Sequence, residues 1–125
     1  MEDPLHGLAR AAVHAILTPM IQPLSVTDLH ARLQAGERFQ MLDVREDMEL
    51  AIAKLEGVVH IPLGELTSRA DELDPDLPTV CICHHGMRSA HAAGYLETLE
   101  FETLFNLTGG IDAWSMHVDP EVARY

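Results

Sequence analysis

Short apolar segments alternate with helix-like segments along most of the chain, and this alternation limits the possible folds more than any other feature. The predicted strands are residues 24–26, 39–44, 58–61, 79–83 and 101–107. Apolar strands separated by amphipathic helices are typical of an α/β protein, with a parallel sheet covered by helices on both faces. Ligands bind such sheets beyond the carboxyl ends of the strands, so the segment after residue 83 is the first place to seek a site.

The chain of 125 residues has the length of one domain. We predict an N-terminal helical extension at residues 1–23, one domain at residues 24–116 and a surface tail at residues 117–125. In the extension, Asp3 is the expected helix cap, and the apolar face packs on the domain or on a second subunit, as in a homodimer. The other predicted helices begin at Thr27, Asp47, Gly64, Met87 and Gly110 and end near Gly36, Leu55, Leu73, Leu99 and Trp114.

Composition excludes several classes of function. The formal net charge is −12, with eight basic side chains against 20 acidic ones. Binding to nucleic acid or to an anionic membrane needs a basic surface, so neither is expected. No apolar run approaches the ~20 residues of a membrane span, and the acidic start Met1-Glu2-Asp3-Pro4 is unlike a secretory signal. We therefore predict a cytoplasmic protein.

The two cysteines, Cys81 and Cys83, are separated by one residue. That spacing gives poor disulfide geometry, and a lone Cys-x-Cys lacks the second ligand pair of a zinc site. No histidine pair shows ligand spacing on a helix face either, so we predict neither a metal nor a cofactor. Cys81, inside the strand, is predicted to pack in the core, and Cys83, at its end, to act as a nucleophile.

The loop after Cys83 suits an anionic sulfur. Together with the first helical residues it comprises His84, His85, Gly86, Met87, Arg88 and Ser89. Backbone N–H groups at a helix N-terminus favour a thiolate, a persulfide anion or a bound oxyanion. Gly86 permits a tight turn, and Arg88 is expected to brace the loop by donating to carbonyls or to Asp43.

Residues 80–89 resemble the active-site segment of rhodanese-family sulfurtransferases, in which a Cys and an Arg frame a six-residue loop. The other similar segments, in family order, are residues 41–46, 60–62 and 107–114, the last with a Gly-Gly-x-x-x-Trp pattern. The resemblance implies a five-stranded parallel sheet with helices on both faces. It also implies transfer of sulfane sulfur through a persulfide on Cys83, with Asp43 and Arg45 helping to order the site.

The donor implied by this resemblance is thiosulfate or a persulfide, and the acceptor is a thiol or a cyanide-like nucleophile. A cysteine desulfurase or a sulfur-carrier protein is a possible protein partner. His84 and His85 stand where some thiosulfate-using members carry Arg or Lys. Imidazoles are mostly neutral at pH 7, so this loop holds less fixed positive charge for dianionic thiosulfate.

Two alternative functions stay open at this point. Phosphatases and arsenate reductases have related loops that begin with Cys and end with Arg, but with five intervening residues. Here four residues separate Cys83 from Arg88, and none of them is an acid that could protonate a leaving group. The second alternative is a protein-to-protein persulfide relay, or a binding module, without efficient small-molecule turnover.

We also predict the surroundings of four further side chains. His60 is expected to be a hydrogen-bonded structural histidine, and Trp114 is expected to pack against the core. His84 and His85 either contact substrate and tune the loop charge with pH, or point to solvent. The residues alone leave these two outcomes equal.

Overall fold

Five short strands form one parallel sheet in the structure, a computed structural model that describes residues 21–125. The strands are β1 (Ile21–Ser25), β2 (Gln40–Asp43), β3 (Val59–His60), β4 (Thr79–Ile82) and β5 (Leu104–Thr108). Their order across the sheet is β1-β5-β4-β2-β3, and every neighbouring pair is parallel. The predicted sheet is confirmed. The predicted N-terminal helix lies outside the described residues, and residues 21–23 of the predicted extension belong to β1.

Helices connect the strands, with bounds that differ in detail from the predicted ones. They are α1 (Val26–Gln34), α2 (Asp47–Ile52), α3 (Leu66–Arg69), α4 (Met87–Thr98) and α5 (Gly110–His117), and 3₁₀ turns at Leu63–Glu65 and Ala70–Glu72 flank α3. Ser25, rather than Thr27, caps α1 by accepting the N–H of Asp28 at 3.1 Å. α2 ends at Ile52, before the predicted end near Leu55, because the backbone of Ala53 is extended. None of the helices within residues 21–125 is long and apolar enough to cross a bilayer.

The sheet separates two apolar clusters, so the predicted cover of helices on both faces is confirmed. One cluster joins α3 and α4 to the sheet, and the other joins α1 and α5 to its opposite face. Side chains alternate between the two faces along β4, where Cys81 belongs to the first cluster and Val80 and Ile82 belong to the second. Cys83 follows on the same side as Cys81 and is therefore directed towards α4.

Strand order brings three connections together at one edge of the sheet. β4 lies between β5 and β2, and all three strands end at the same edge because they are parallel. The ladder extends past β4 and β2, where Val44 N–H donates to Ile82 O at 3.0 Å and Ile61 N–H donates to Asp43 O at 3.0 Å. The segments that follow Asp43, Ile82 and Thr108 consequently meet where a ligand site is expected.

Candidate active site

The loop after β4 curls around the sulfur of Cys83. The N–H of Gly86 donates to Cys83 Sγ at 3.0 Å, and Ser89 Oγ lies 3.2 Å from the same sulfur. Gly86 caps α4 in the left-handed region, with φ of 116°, a conformation that costs glycine little. Only 1% of Cys83 is exposed, so the sulfur lies at the base of the loop.

Burial and hydrogen bonding have opposite effects on the pKa of Cys83. Burial by itself raises the pKa of the thiol, but donors from the Ser89 hydroxyl and from the backbone of Ser89, Gly86 and His85 bring the pKa below its ordinary value. Cys81 has no such donors among residues 21–125, and burial, with a smaller contribution from Cys83, raises its pKa to about 12. Cys81 is also fully buried in the first cluster, which confirms its predicted packing role.

Ser89 links the sulfur to Asn106 on β5. The Ser89 hydroxyl donates to Asn106 Oδ1, and Asn106 Nδ2 donates to Gly86 O at 3.0 Å. A hydroxyl has one proton but two lone pairs. Ser89 can therefore accept from a Cys83 thiol while it donates to Asn106, or turn to donate to a thiolate. Sequence reasoning missed Asn106, although a polar residue within an apolar strand was a usable signal.

Arg88 pairs with Glu49 on α2. Its two terminal nitrogens donate to the two carboxylate oxygens at 2.6 and 2.9 Å, a bidentate arrangement. Hydrogen bonding from Arg88 is the largest cause that lowers the pKa of Glu49 to about 2. The expectation that Arg88 would donate to loop carbonyls or to Asp43 was wrong, because Asp43 is already occupied by Arg45. Sequence reasoning also missed Glu49.

Asp43 and Arg45 form a buried ion pair at the end of β2. Both side chains are fully buried, with Arg45 Nη2 2.8 Å from Asp43 Oδ2 and Arg45 Nε 3.0 Å from Asp43 Oδ1. Arg45 Nη2 also donates to Ala53 O at 2.7 Å. The pair therefore ties the end of β2 to the residue that follows α2, and so supports the helix that carries Glu49.

The first turn of α5 supports the loop through two backbone hydrogen bonds. The N–H of Ile111 donates to Cys83 O at 2.9 Å, and the N–H of Asp112 donates to His84 O at 3.1 Å. Gly110 makes this approach possible, because a Cβ at that position would collide with the carbonyl oxygens of Cys83 and His84. Its φ of 58° also disfavours other residues. The Gly-Gly pattern thus has a steric reason.

The two loop histidines differ in environment. The His84 ring lies between two other rings, with centroids 3.9 Å from His85 and 3.8 Å from Tyr125. Burial, followed by the proximity of His85, lowers the pKa of His84. Its Nε2 is buried and has no hydrogen-bond partner among residues 21–125. His85 is largely exposed, and its Nε2 lies 3.8 Å from Asp112 Oδ2.

A metal could be sought at His84, His85 and Asp112, whose ligand atoms all lie within 4.8 Å of one another. The tilt between the two imidazole planes is 33° at 3.9 Å between centroids. The three side chains offer nitrogen and oxygen ligand atoms of the kind that bind metal ions, so the absence of a metal stays a prediction.

His60 and Trp114 have structural surroundings. His60 Nε2 lies 2.6 Å from Arg45 O, and Trp114 is buried in the second cluster with its ring edge-on to His30. Both predictions are confirmed. The residues that the structure adds to the predicted site are Glu49, Asn106, Asp112, Arg124 and Tyr125. For the last two no local sequence signal exists, because their contacts depend on the path of the tail.

Gly110→Ala is expected to displace the loop, because the added methyl group would collide with Cys83 O and His84 O. We expect a loss of about 1–3 kcal/mol in unfolding free energy, typical of forced backbone strain, and slower alkylation of Cys83. Denaturant unfolding and labelling by iodoacetamide measure these effects. Gly94→Ala is the matched control, since an added Cβ there meets nothing within 4 Å. Unchanged stability and labelling in Gly110→Ala would contradict the steric argument.

Glu49→Gln is expected to reduce stability most at neutral pH. The lowered pKa of Glu49, about 2, means that its pair with Arg88 stabilises the fold above the unfolded carboxyl pKa of about 4.3. This contribution is lost as pH falls towards 2. We expect a loss of about 1–2 kcal/mol at pH 7 and a smaller one at pH 3, measured by urea unfolding. An equal loss at both pH values would argue against the pair, and Glu72→Gln, in an exposed pair with Arg69, controls for lost charge.

Comparisons with known proteins agree with this geometry. The family model described as "Rhodanese-like domain" matches residues 25–117. "Putative sulfurtransferase YtwF" of Bacillus subtilis is 36% identical over 101 residues, which cover 81% of this chain and 97% of that protein. "Putative sulfur carrier protein YrkF" of the same organism is 37% identical over 95 residues, which cover 76% of this chain but only 51% of that protein.

Solved structures give the same result. A rhodanese-related protein from Thermoplasma volcanium is 31% identical, with a TM-score of 0.70 over 78% of this chain and 93% of that one. The family match over residues 25–117 includes β2 to β5, the loop after β4 and the Gly-Gly turn at the start of α5. The chain belongs to the rhodanese-like domain family.

Proposed function

We propose that this protein is a sulfurtransferase that carries sulfane sulfur as a persulfide on Cys83. The observation that carries the proposal is the position of Cys83 Sγ, which faces the N–H of Gly86 and the Ser89 hydroxyl within a loop closed by Arg88. These donors favour an anionic sulfur on a buried residue. Membership of the rhodanese-like family and the printed names of the two relatives support sulfur transfer in general.

The reaction has two displacement steps. The Cys83 thiolate attacks the sulfane sulfur of the donor, a new S–S bond forms, and the old bond breaks as the leaving group departs with its electron pair. The leaving group is a thiolate from a persulfide donor or sulfite from thiosulfate. An acceptor nucleophile then attacks the outer sulfur of the Cys83 persulfide, and the Cys83 thiolate is released for another cycle.

Charge around the loop favours a persulfide donor over thiosulfate. Within residues 21–125, each arginine near the loop is paired with a carboxylate: Arg45 with Asp43, Arg88 with Glu49 and Arg124 with Asp112. These pairs cancel the fixed positive charge that would attract a dianion, and the net charge of −12 adds a repulsive field. The lowered pKa of His84 keeps its imidazole neutral at pH 7.

Loop size supports sulfur transfer over phosphate chemistry. Four residues lie between Cys83 and Arg88, one fewer than the cradle of the phosphatase alternative. Arg88 is also held by Glu49 instead of facing an oxyanion site. A single sulfur atom on Cys83 fits this arrangement better than a tetrahedral phosphoryl group.

Incubation with a sulfur donor is expected to add one sulfur atom to Cys83. Intact mass should rise by ~32 Da, the mass of sulfur in a persulfide, and cyanide should remove the adduct. We expect fuller loading by glutathione persulfide than by thiosulfate at equal concentration. Cys83→Ser should abolish the adduct, whereas Cys81→Ala should keep it. The proposal fails if folded wild-type protein stays unmodified with both donors, or if Cys83→Ser is still modified.

A protein-to-protein relay is a second candidate, which surface composition favours. Met87, within the loop, is 85% exposed, and Met48, next to Glu49, is 74% exposed. These flexible apolar side chains flank the Arg88–Glu49 pair and suit contact with another protein surface. The name of YrkF as a sulfur carrier points in the same direction.

A relay predicts fast transfer from a protein donor and negligible small-molecule turnover. We expect Met87→Glu to slow sulfur transfer from a cysteine desulfurase by about tenfold, which corresponds to about 1.4 kcal/mol. Loading by glutathione persulfide should stay within twofold of wild type. Leu77→Glu is the control, because Leu77 is also exposed but precedes β4, at the opposite edge of the sheet. Equal slowing by both variants would exclude Met87 as a contact, and rapid multiple turnover with small donors would exclude the relay.

A further inference from the structure

Residues 118–125, which follow α5, return to the active-site loop. Val118 and Val122 pack against the second apolar cluster, and Arg124 Nε donates to Asp112 Oδ1 at 3.0 Å. The next residue, Tyr125, reaches the loop itself. The family match ends at residue 117, so Arg124 and Tyr125 lie beyond the matched region.

The ring of Tyr125 covers one face of His84. The two rings are almost parallel, with centroids 3.8 Å apart and an angle of 3° between planes. His85 occupies the other face, because two rings at such short distances cannot share one side. His84 follows Cys83 directly, and its carbonyl accepts the N–H of Asp112. A fixed His84 therefore fixes the start of the loop.

The hydroxyl of Tyr125 joins two ion pairs. It accepts a hydrogen bond from Arg45 Nη1 at 2.8 Å and donates to Glu49 Oε2 at 2.8 Å. Arg45 is the partner of Asp43, and Glu49 is the partner of Arg88. One hydroxyl thus connects the buried Asp43–Arg45 pair to the Arg88–Glu49 pair, whose arginine closes the Cys83 loop.

We propose that Tyr125 is a positioning residue for Cys83, holding the loop through its stack on His84 and its hydroxyl bridge between the Arg45 and Glu49 pairs. Among residues 21–125, four elements approach the loop: α2 with Glu49, β5 with Asn106, α5 with Asp112, and the segment after residue 117. Of these four, only the last contacts both the histidine side of the loop, through His84, and the arginine side, through Glu49.

A loss of this positioning would act on the pKa of Cys83 through the groups that donate hydrogen bonds to its sulfur. The pKa of Cys83 is lowered only because hydrogen bonds to the sulfur outweigh burial. If the loop relaxes, the donors move away while burial persists, and the pKa rises. The other charged and titratable groups around the loop are all retained when Tyr125 alone is replaced, and Arg45 and Glu49 each lose one hydrogen bond. These groups are Asp43, Arg45, Glu49, His84, His85, Arg88 and Asp112.

The experiment measures the rate of Cys83 alkylation by iodoacetamide, a neutral probe, from pH 5 to 10. In Tyr125→Ala we expect the midpoint of the profile to rise by about one unit. The rate below pH 7 would then fall about tenfold, since one unit is a tenfold change in thiolate. Tyr125→Phe, which keeps the ring and loses the hydroxyl, should give a smaller rise. The plateau at high pH separates changed acidity from changed access.

Two controls make the outcome specific. Met116→Ala shortens an exposed side chain on α5, and Tyr95→Phe removes a phenol hydroxyl on α4. Neither should move the midpoint. Equal midpoints in wild type and Tyr125→Ala overturn the proposal, as does an equal shift in Met116→Ala. An unchanged midpoint in Tyr125→Phe would overturn the role proposed for the hydroxyl bridge. Alkylation needs no sulfur donor, so this result is independent of whether Cys83 transfers sulfur.

Discussion

The hydrogen bond from Gly86 N–H to the sulfur of Cys83 is the contact around which the site is organised. It requires a left-handed residue at the start of α4, and glycine supplies that conformation. It also requires that the backbone of the loop keeps its conformation. Asn106 holds Gly86 O from the β5 side, and α5 holds the carbonyls of Cys83 and His84 from below. Each of these supports keeps N–H groups close to a sulfur that is otherwise buried in apolar surroundings.

Charge neutrality around the loop is the second constraint. Arginine is always charged, yet each arginine near Cys83 within residues 21–125 is matched to a carboxylate. Under the proposed function, an anionic sulfur would be stabilised by oriented backbone dipoles and one hydroxyl, which act at short range. The preference for a persulfide donor over a dianionic donor that we propose follows from this arrangement.

The loop around Cys83 could be predicted because its information is local. A cysteine at the end of an apolar strand, a glycine three residues later and an arginine at the start of a helix all lie within six positions. Tyr125, Glu49 and Asn106 could not be predicted in this way. Their relation to Cys83 depends on β4 lying between β5 and β2, and on the path of the chain after α5.

The same division holds for the fold. Alternation of apolar and amphipathic segments determined the class and the five-stranded sheet, because burial of alternate faces is encoded by local periodicity. Bounds were less well determined: α2 ends at Ile52, and β5 begins at Leu104 rather than Phe101. The sequence by itself indicated which cysteine packs in the core and which lies at the start of the loop. Only the tertiary structure decided the partner of Arg88, since Arg45 satisfies Asp43 and leaves Glu49 as the carboxylate within reach.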